Sequence, residues 1–154
     1  MTLSDLFFFI PFYLCAGTMF SFGFLKHTVV GHKYLLLHGI VIFCLSLVAE
    51  LLVGRTALGP DAGIWFSIFL AGTLVFALSA GKQKRTAAAA FFLAVIAAGG
   101  TIVLHISTKL PSTLQDSLIL NIALSSLLLG FSAGTLFLIH QYRRTPSLPL
   151  GEWM

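Results

Sequence analysis

Residues 34–53 read YLLLHGIVIFCLSLVAELLV, a predominantly apolar stretch that carries a single histidine, His38, and a single acid, Glu50. A helix of about 20 apolar residues is long enough to cross the hydrocarbon layer of a membrane. Four more stretches of this kind occur along the chain, at 5–25, 64–81, 87–106 and 117–141. The pattern predicts an all-α protein, an integral membrane bundle of five transmembrane helices.

The composition is that of a membrane protein. Of the 154 residues, 58% are hydrophobic and only 9% are charged, whereas soluble domains carry about 25% charged residues. The basic residues stand in short clusters between the apolar stretches and form no basic face, which argues against a nucleic-acid partner. We therefore expect residues 1–144 to form one membrane domain in contact with lipid, followed by a tail over 145–154.

The distribution of Lys and Arg predicts the orientation in the membrane, because cytoplasmic loops are enriched in these residues. One side of the bundle carries the larger set and the other side a smaller one. The larger set is Lys26, Lys33, Lys82, Lys84, Arg85, Arg143 and Arg144, and the smaller set is Arg55 and Lys109. The N-terminus is thus expected outside and the C-terminus, with its tail, in the cytoplasm.

Two histidines are expected at one depth near the cytoplasmic face. His38 follows Lys33 by five residues, or about 7 Å of helix, and His140 precedes Arg143 by three residues, or about 5 Å. Two imidazoles at one level can ligate a haem iron from both sides. A histidine near a helix end can instead bond to a lipid headgroup or a backbone carbonyl without any cofactor, and this alternative stays open.

The neighbours of these histidines suit a porphyrin. Gly39 and Gly134 would leave room for the ring, and Lys33, Arg143 and Arg144 could neutralise its propionates at the inner surface. The sequence hypothesis is therefore one haem b, with its iron held by the two imidazoles.

A second candidate site lies toward the outer face. Glu50 is the only acid well within a predicted span, so it is protonated, paired or in contact with water, and it could handle protons at a quinone site. His105, near the outer end of the fourth stretch, has no histidine at its own depth and is interpreted as an interfacial or quinone-site residue. A snorkelling acid and an interfacial histidine are the ordinary alternatives.

Three of the stretches contain Ala-Gly-Thr near the middle, at 16–18, 71–73 and 133–135. Small residues let the backbones of membrane helices approach closely, and Thr can bond back to its own helix. We expect these tripeptides to form helix-packing surfaces.

The order of features resembles that of five-helix membrane cytochromes b, namely the gamma subunit of respiratory nitrate reductase and the related membrane subunits of heterodisulfide-reductase-type complexes. The matching residues are Phe7-Phe8-Phe9, Tyr13 and Ala16-Gly17 in the first stretch, Leu37-His38-Gly39-Ile40 in the second, and Leu138-Ile139-His140 in the fifth.

That resemblance implies a bacterial or archaeal cytoplasmic membrane and a haem between the second and fifth helices, ligated on the cytoplasmic side by His38 and His140. It also implies membrane and cytoplasm-side redox subunits as partners. The family's second, outer haem needs a histidine about ten residues after His38, where this chain has Val48. We therefore expect one haem at most.

Three functions from different classes are open. The first is an electron-transfer subunit of a respiratory or photosynthetic complex, which passes electrons between a quinone and a partner subunit through haem b. The second is a cofactor-free accessory subunit, and the third is a small proton-coupled transporter with Glu50 as the coupling acid. The sequence contains no nucleophile–base pair or phosphate loop, so any catalysis is expected to belong to an assembled complex.

Overall fold

The computed structural model describes residues 5–23, 32–53, 58–80, 83–108 and 114–144, except for the side chains of residues 5, 32, 52, 53, 84, 115 and 137–144. These residues form five helices and, in the described ranges, no strand. The helices are α1 (Asp5–Phe22), α2 (His32–Val53), α3 (Gly59–Ser79), α4 (Lys84–Thr108) and α5 (Leu114–Arg144). The prediction of an all-α fold is confirmed.

The observed helix ends differ from the predicted ones by a few residues. The largest difference is in α3, which begins five residues before the expected position 64, at Gly59. Pro60 has no N–H to satisfy and suits the first turn of a helix, and the Asp61 carboxylate interacts favourably with the positive end of the helix dipole. Pro60 and Asp61, which precede the predicted stretch 64–81, are thus part of the helix start.

Four helices are long and apolar enough to cross a membrane. Their apolar segments are Lys33–Leu51, Gly59–Ser79, Arg85–Ser107 and Asp116–Leu136. The apolar part of α1, Leu6–Phe22, is shorter. The protein is therefore a multi-pass membrane protein, while the fifth crossing and the orientation stay predictions.

Successive helices alternate in direction. Gly130 of α5 lies against Leu14 of α1, and Gly134 lies against Ser21, so α1 and α5 run parallel. By contrast, the last residue of α1, Phe22, packs on Tyr34 near the start of α2. The result is an up-and-down bundle.

The central position in this bundle belongs to α1. It packs closely on α2, α4 and α5, while α3 packs on α2 and α4. Ring contacts of Phe8 with Phe66 and of Phe12 with Phe69 join α1 to α3 as well. A helix surrounded in this way is apolar on every face, so it shows no amphipathic pattern. In the described ranges, α5 packs closely on α1 alone and thus lies outside the four-helix core.

The α1–α5 contact is made by small residues, as the Ala-Gly-Thr pattern predicts. A Cβ added at Gly17 would collide with the carbonyl of Leu127, and one at Gly130 would collide with the carbonyl of Leu14. Thr18 Oγ1 donates both to the Leu14 carbonyl, at 2.9 Å, and across the interface to the Gly130 carbonyl, at 3.1 Å. At these positions the backbones of α1 and α5 approach each other as closely as glycine allows.

Candidate functional site

A buried tyrosine–histidine pair joins α1 to α4. The Tyr13 side chain is wholly buried, and its Oη lies 2.8 Å from Nδ1 of His105, which is 2% exposed. The Phe9 ring stacks on the imidazole, with centroids 3.7 Å apart and planes inclined by 17°. Hydrogen bonding on one side and stacking on the other hold the imidazole in one orientation.

The surroundings of this pair are aromatic. Phe12 meets Tyr13 edge to face at 5.6 Å, and Phe66 lies beyond it at 5.2 Å. Edge-to-face packing of this kind fills space without polar atoms. In so apolar a medium the hydrogen bond between Tyr13 and His105 is electrostatically stronger than in water, and the loss of either partner is expensive.

The chemistry open to the pair is proton transfer. The Tyr13 phenol donates to Nδ1 when the imidazole carries its own proton on Nε2, so a proton can move between the two side chains along this contact. Membrane proteins use buried ionisable side chains of this kind in proton relays and substrate sites. The sequence analysis singled out His105 but missed Tyr13 as its partner, although a phenol in a phenylalanine-rich stretch must bond to something.

His38 lies at the other end of the bundle and is half-buried. Its Nδ1–H donates to the Tyr34 carbonyl at 2.9 Å, and its ring lies over the Tyr34 ring, with centroids 3.9 Å apart. A carbonyl can only accept, so the proton of the neutral ring is on Nδ1 and the lone pair is on Nε2. Histidines that ligate metals are commonly oriented by such a bond.

The other predicted haem ligand cannot be compared with His38 in the same detail. His140 belongs to α5, but its side chain and those of Arg143 and Arg144 lie outside the described residues. His38 packs beside Phe22 of α1, and Gly134 lies level with the preceding residue of α1, Ser21. Six further residues, about 9 Å of helix, lead from Gly134 to His140. Ligation by both histidines stays a prediction.

The two glycines assigned to the porphyrin are in helix contacts. An added Cβ at Gly39 would lie 2.8 Å from the Ala77 Cβ of α3, and one at Gly134 would collide with Ser21 of α1. The space beside each is therefore already filled, and their role next to a porphyrin stays a prediction. Lys33, at the start of α2, is exposed, as a contact to a propionate or a lipid phosphate requires.

Glu50 and His105 lie toward the same end of the bundle. Ser46 of α2 lies beside Cys15 of α1, and one helical turn beyond Ser46 brings Glu50 to the level of Pro11. This is the part of α1 that contacts His105. The two residues are nevertheless on different helices, since α2 and α4 do not pack closely in the described ranges. The structure places them at one level on two different helices.

The described residues contain no group of three or more His, Cys, Asp or Glu side chains that could hold a metal ion. Haem iron takes only two protein ligands, so this result does not bear on haem. No family model, curated protein or solved structure matches the chain.

Proposed function

We propose that the protein is a membrane subunit of an electron-transfer complex, in which the Tyr13–His105 pair exchanges protons with a quinone. The observation that carries the proposal is the 2.8 Å contact between Tyr13 Oη and His105 Nδ1 inside an apolar bundle. The reduction of a quinone takes up protons together with electrons, so its site needs a group that can give and take a proton. An imidazole can do both at its ring nitrogens.

The depth of the pair supports a quinone over a solute. His105 stacks on Phe9, which follows the start of α1 at Asp5 by four residues, or about 6 Å of helix. The imidazole is therefore near one face of the bundle, although its side chain is buried. Glu50, at the same level on α2, is a second proton-carrying group for the same face.

The electron path is proposed to be one haem b held by His38 and His140. The bond from His38 Nδ1–H to the Tyr34 carbonyl supports this role, because it leaves Nε2 as the ligating atom. His38 packs beside Phe22, near the end of α1. Exposed Lys33 lies at this end of the bundle.

Spectroscopy on the purified protein tests the haem. Expression with haem supply should yield a reduced-minus-oxidised b-type spectrum and one haem per chain in a pyridine haemochrome assay. His38→Ala and His140→Ala should each abolish the spectrum, whereas Ser67→Ala, at an exposed serine of α3, should leave it intact. A colourless protein would contradict the haem assignment.

The quinone site has its own test. Addition of a quinol should reduce the haem of the wild-type protein, and His105→Gln should slow this reduction without changing the haem content. Equal rates in both proteins would show that His105 takes no part in quinol oxidation.

A cofactor-free accessory subunit is the second candidate, and one observation favours it. Ala77 fills the space beside Gly39, and Ser21 fills the space beside Gly134. Helix packing therefore already uses the small residues near the proposed haem. In that case the purified protein lacks haem, and the double change of His38 and His140 to Ala leaves the assembly of its complex intact.

A further inference from the structure

The face of α5 that points away from α1 follows heptad spacing from Leu114 to Ser132 and continues to Leu136, and the exposed Leu129 flanks it. Its members recur every three or four residues, and each side chain is exposed. They are Leu114, Leu118, Asn121, Ser125, Leu128, Ser132 and Leu136. The buried residues of α5 are offset from them by two positions and face α1 instead: Ile119, Ala123, Ser126, Gly130 and Gly134. The two sets lie on opposite sides of the helix because two residues turn it by about 200°.

We name these seven residues the α5 seam. We propose that the α5 seam binds the same surface on a second copy of the chain. Apolar residues at heptad spacing let two helices interlock along their whole contact. The exposed side of any helix packed on one face shows this spacing, so only the composition distinguishes this face, because a lipid-facing surface is best made of Leu, Ile, Val and Phe. The α5 seam departs from that composition at Asn121, Ser125 and Ser132.

Asn121 decides the choice of a second copy over another partner. It is exposed and lies within the membrane-crossing segment Asp116–Leu136, so its amide faces lipid in the single chain. An amide in hydrocarbon is stabilised by hydrogen bonds to another helix. Because an amide is both donor and acceptor, it is complementary to a copy of itself, and a single Asn in a heptad seam sets the register of such a dimer.

Symmetry supports the same arrangement. Copies inserted into one membrane share an orientation, so two α5 helices that meet along the seam run parallel about a two-fold axis along the membrane normal. In a parallel dimer each seam position faces its own equivalent. Asn121 then bonds to Asn121 of the other copy, while Ser125 and Ser132 lie at the same interface and allow close approach.

Cysteine cross-linking tests the geometry. Ser125→Cys and Ser67→Cys, each in a Cys44→Ala background that removes the exposed native thiol, are compared in vesicles of neutral phospholipid treated with copper phenanthroline. Both serines are exposed and lie in membrane-crossing helices, but only Ser125 is in the α5 seam. A dimer band is expected for Ser125→Cys and not for Ser67→Cys. Equal bands, or no band from Ser125→Cys, would overturn the proposal.

Amide variants test the role of Asn121 by energy-transfer measurements of the dimer in the same vesicles. Asn121→Leu should weaken dimerisation by about threefold or more, since one interhelical hydrogen bond in a membrane contributes about that factor. Asn121→Gln keeps the amide and should retain most of the dimer. An unchanged dimer in Asn121→Leu, or a Ser125→Cys band with a different membrane protein in cell membranes, would exclude self-association through the α5 seam.

Discussion

The phenol oxygen of Tyr13 lies 2.8 Å from the imidazole Nδ1 of His105, although 92 positions separate the two residues in the chain. The bond ties the central helix α1 to α4 at a level where the other side chains around it are aromatic. It therefore contributes to the stability of the bundle as well as to the proposed proton chemistry.

Tyr13→Phe removes the phenol oxygen and keeps the ring. His105 then loses this bond inside an apolar core, which should lower the free energy of unfolding by about 1–3 kcal/mol. Thermal unfolding in detergent, followed by circular dichroism, measures the change. Tyr13→Phe with His105→Leu removes both partners and should recover part of the loss, whereas additive losses would show that the two residues do not act as a pair.

Tyr34→Phe should have the opposite effect on the free energy of unfolding. The Tyr34 hydroxyl is buried and, among the described residues, has no hydrogen-bond partner. Its removal eliminates the free-energy cost of burying an unbonded polar group. The free energy of unfolding should therefore stay equal or rise by up to about 1 kcal/mol. The Tyr34 carbonyl, which accepts from His38, is unaffected, so any haem spectrum should also persist. A fall of the unfolding midpoint would show that the hydroxyl is bonded in the membrane.

Gly130→Ala and Gly99→Ala form a matched pair of glycine changes in membrane-crossing helices. The added Cβ at Gly130 collides with the backbone carbonyl of Leu14, which cannot rotate away, while Gly99 has nothing within 4 Å. We expect Gly130→Ala to destabilise the α1–α5 contact by about 1–3 kcal/mol. Gly99→Ala should be neutral or slightly stabilising because alanine favours the helix. Equal unfolding midpoints would contradict the close approach of α1 and α5.

Thr18→Val and Thr101→Val separate a hydrogen bond between helices from one within a helix. Thr18 Oγ1 donates across to Gly130 of α5 as well as to Leu14 of its own helix, whereas Thr101 Oγ1 donates to Ala97 of its own helix. Thr18→Val should therefore cost about 0.6 kcal/mol or more, and Thr101→Val less. The measurement is again the unfolding midpoint, and an equal or larger effect at Thr101 would argue against the interhelical bond.

The sequence was sufficient for the helices and their packing residues, because the length of an apolar stretch and the spacing of Gly and Thr are local properties. Pairings between helices are not local. The Tyr13–His105 contact depends on how α1 and α4 are rotated and shifted against each other, which no short motif encodes. His105 alone was visible as a polar residue that needs a partner.

Depth was the weaker inference. His38 and His140 were placed at one level by counting residues from the nearest basic side chain, which assumes that all helices end in one plane. The helices do not: α5 continues to Arg144, and Gly134 already lies level with Ser21 of α1. The relative depth of two helices is set by the contacts between them, such as Gly130 with Leu14.

The central place of α1 has a consequence for biogenesis. The ribosome delivers this helix to the insertion machinery ahead of the four that surround it, so its phenylalanines first face lipid or the translocon. Pro11 and Tyr13 must be tolerated there before α4 supplies His105. Docking of α5 then closes the contact at Gly17 of α1, which depends on a helix made after the other four described helices.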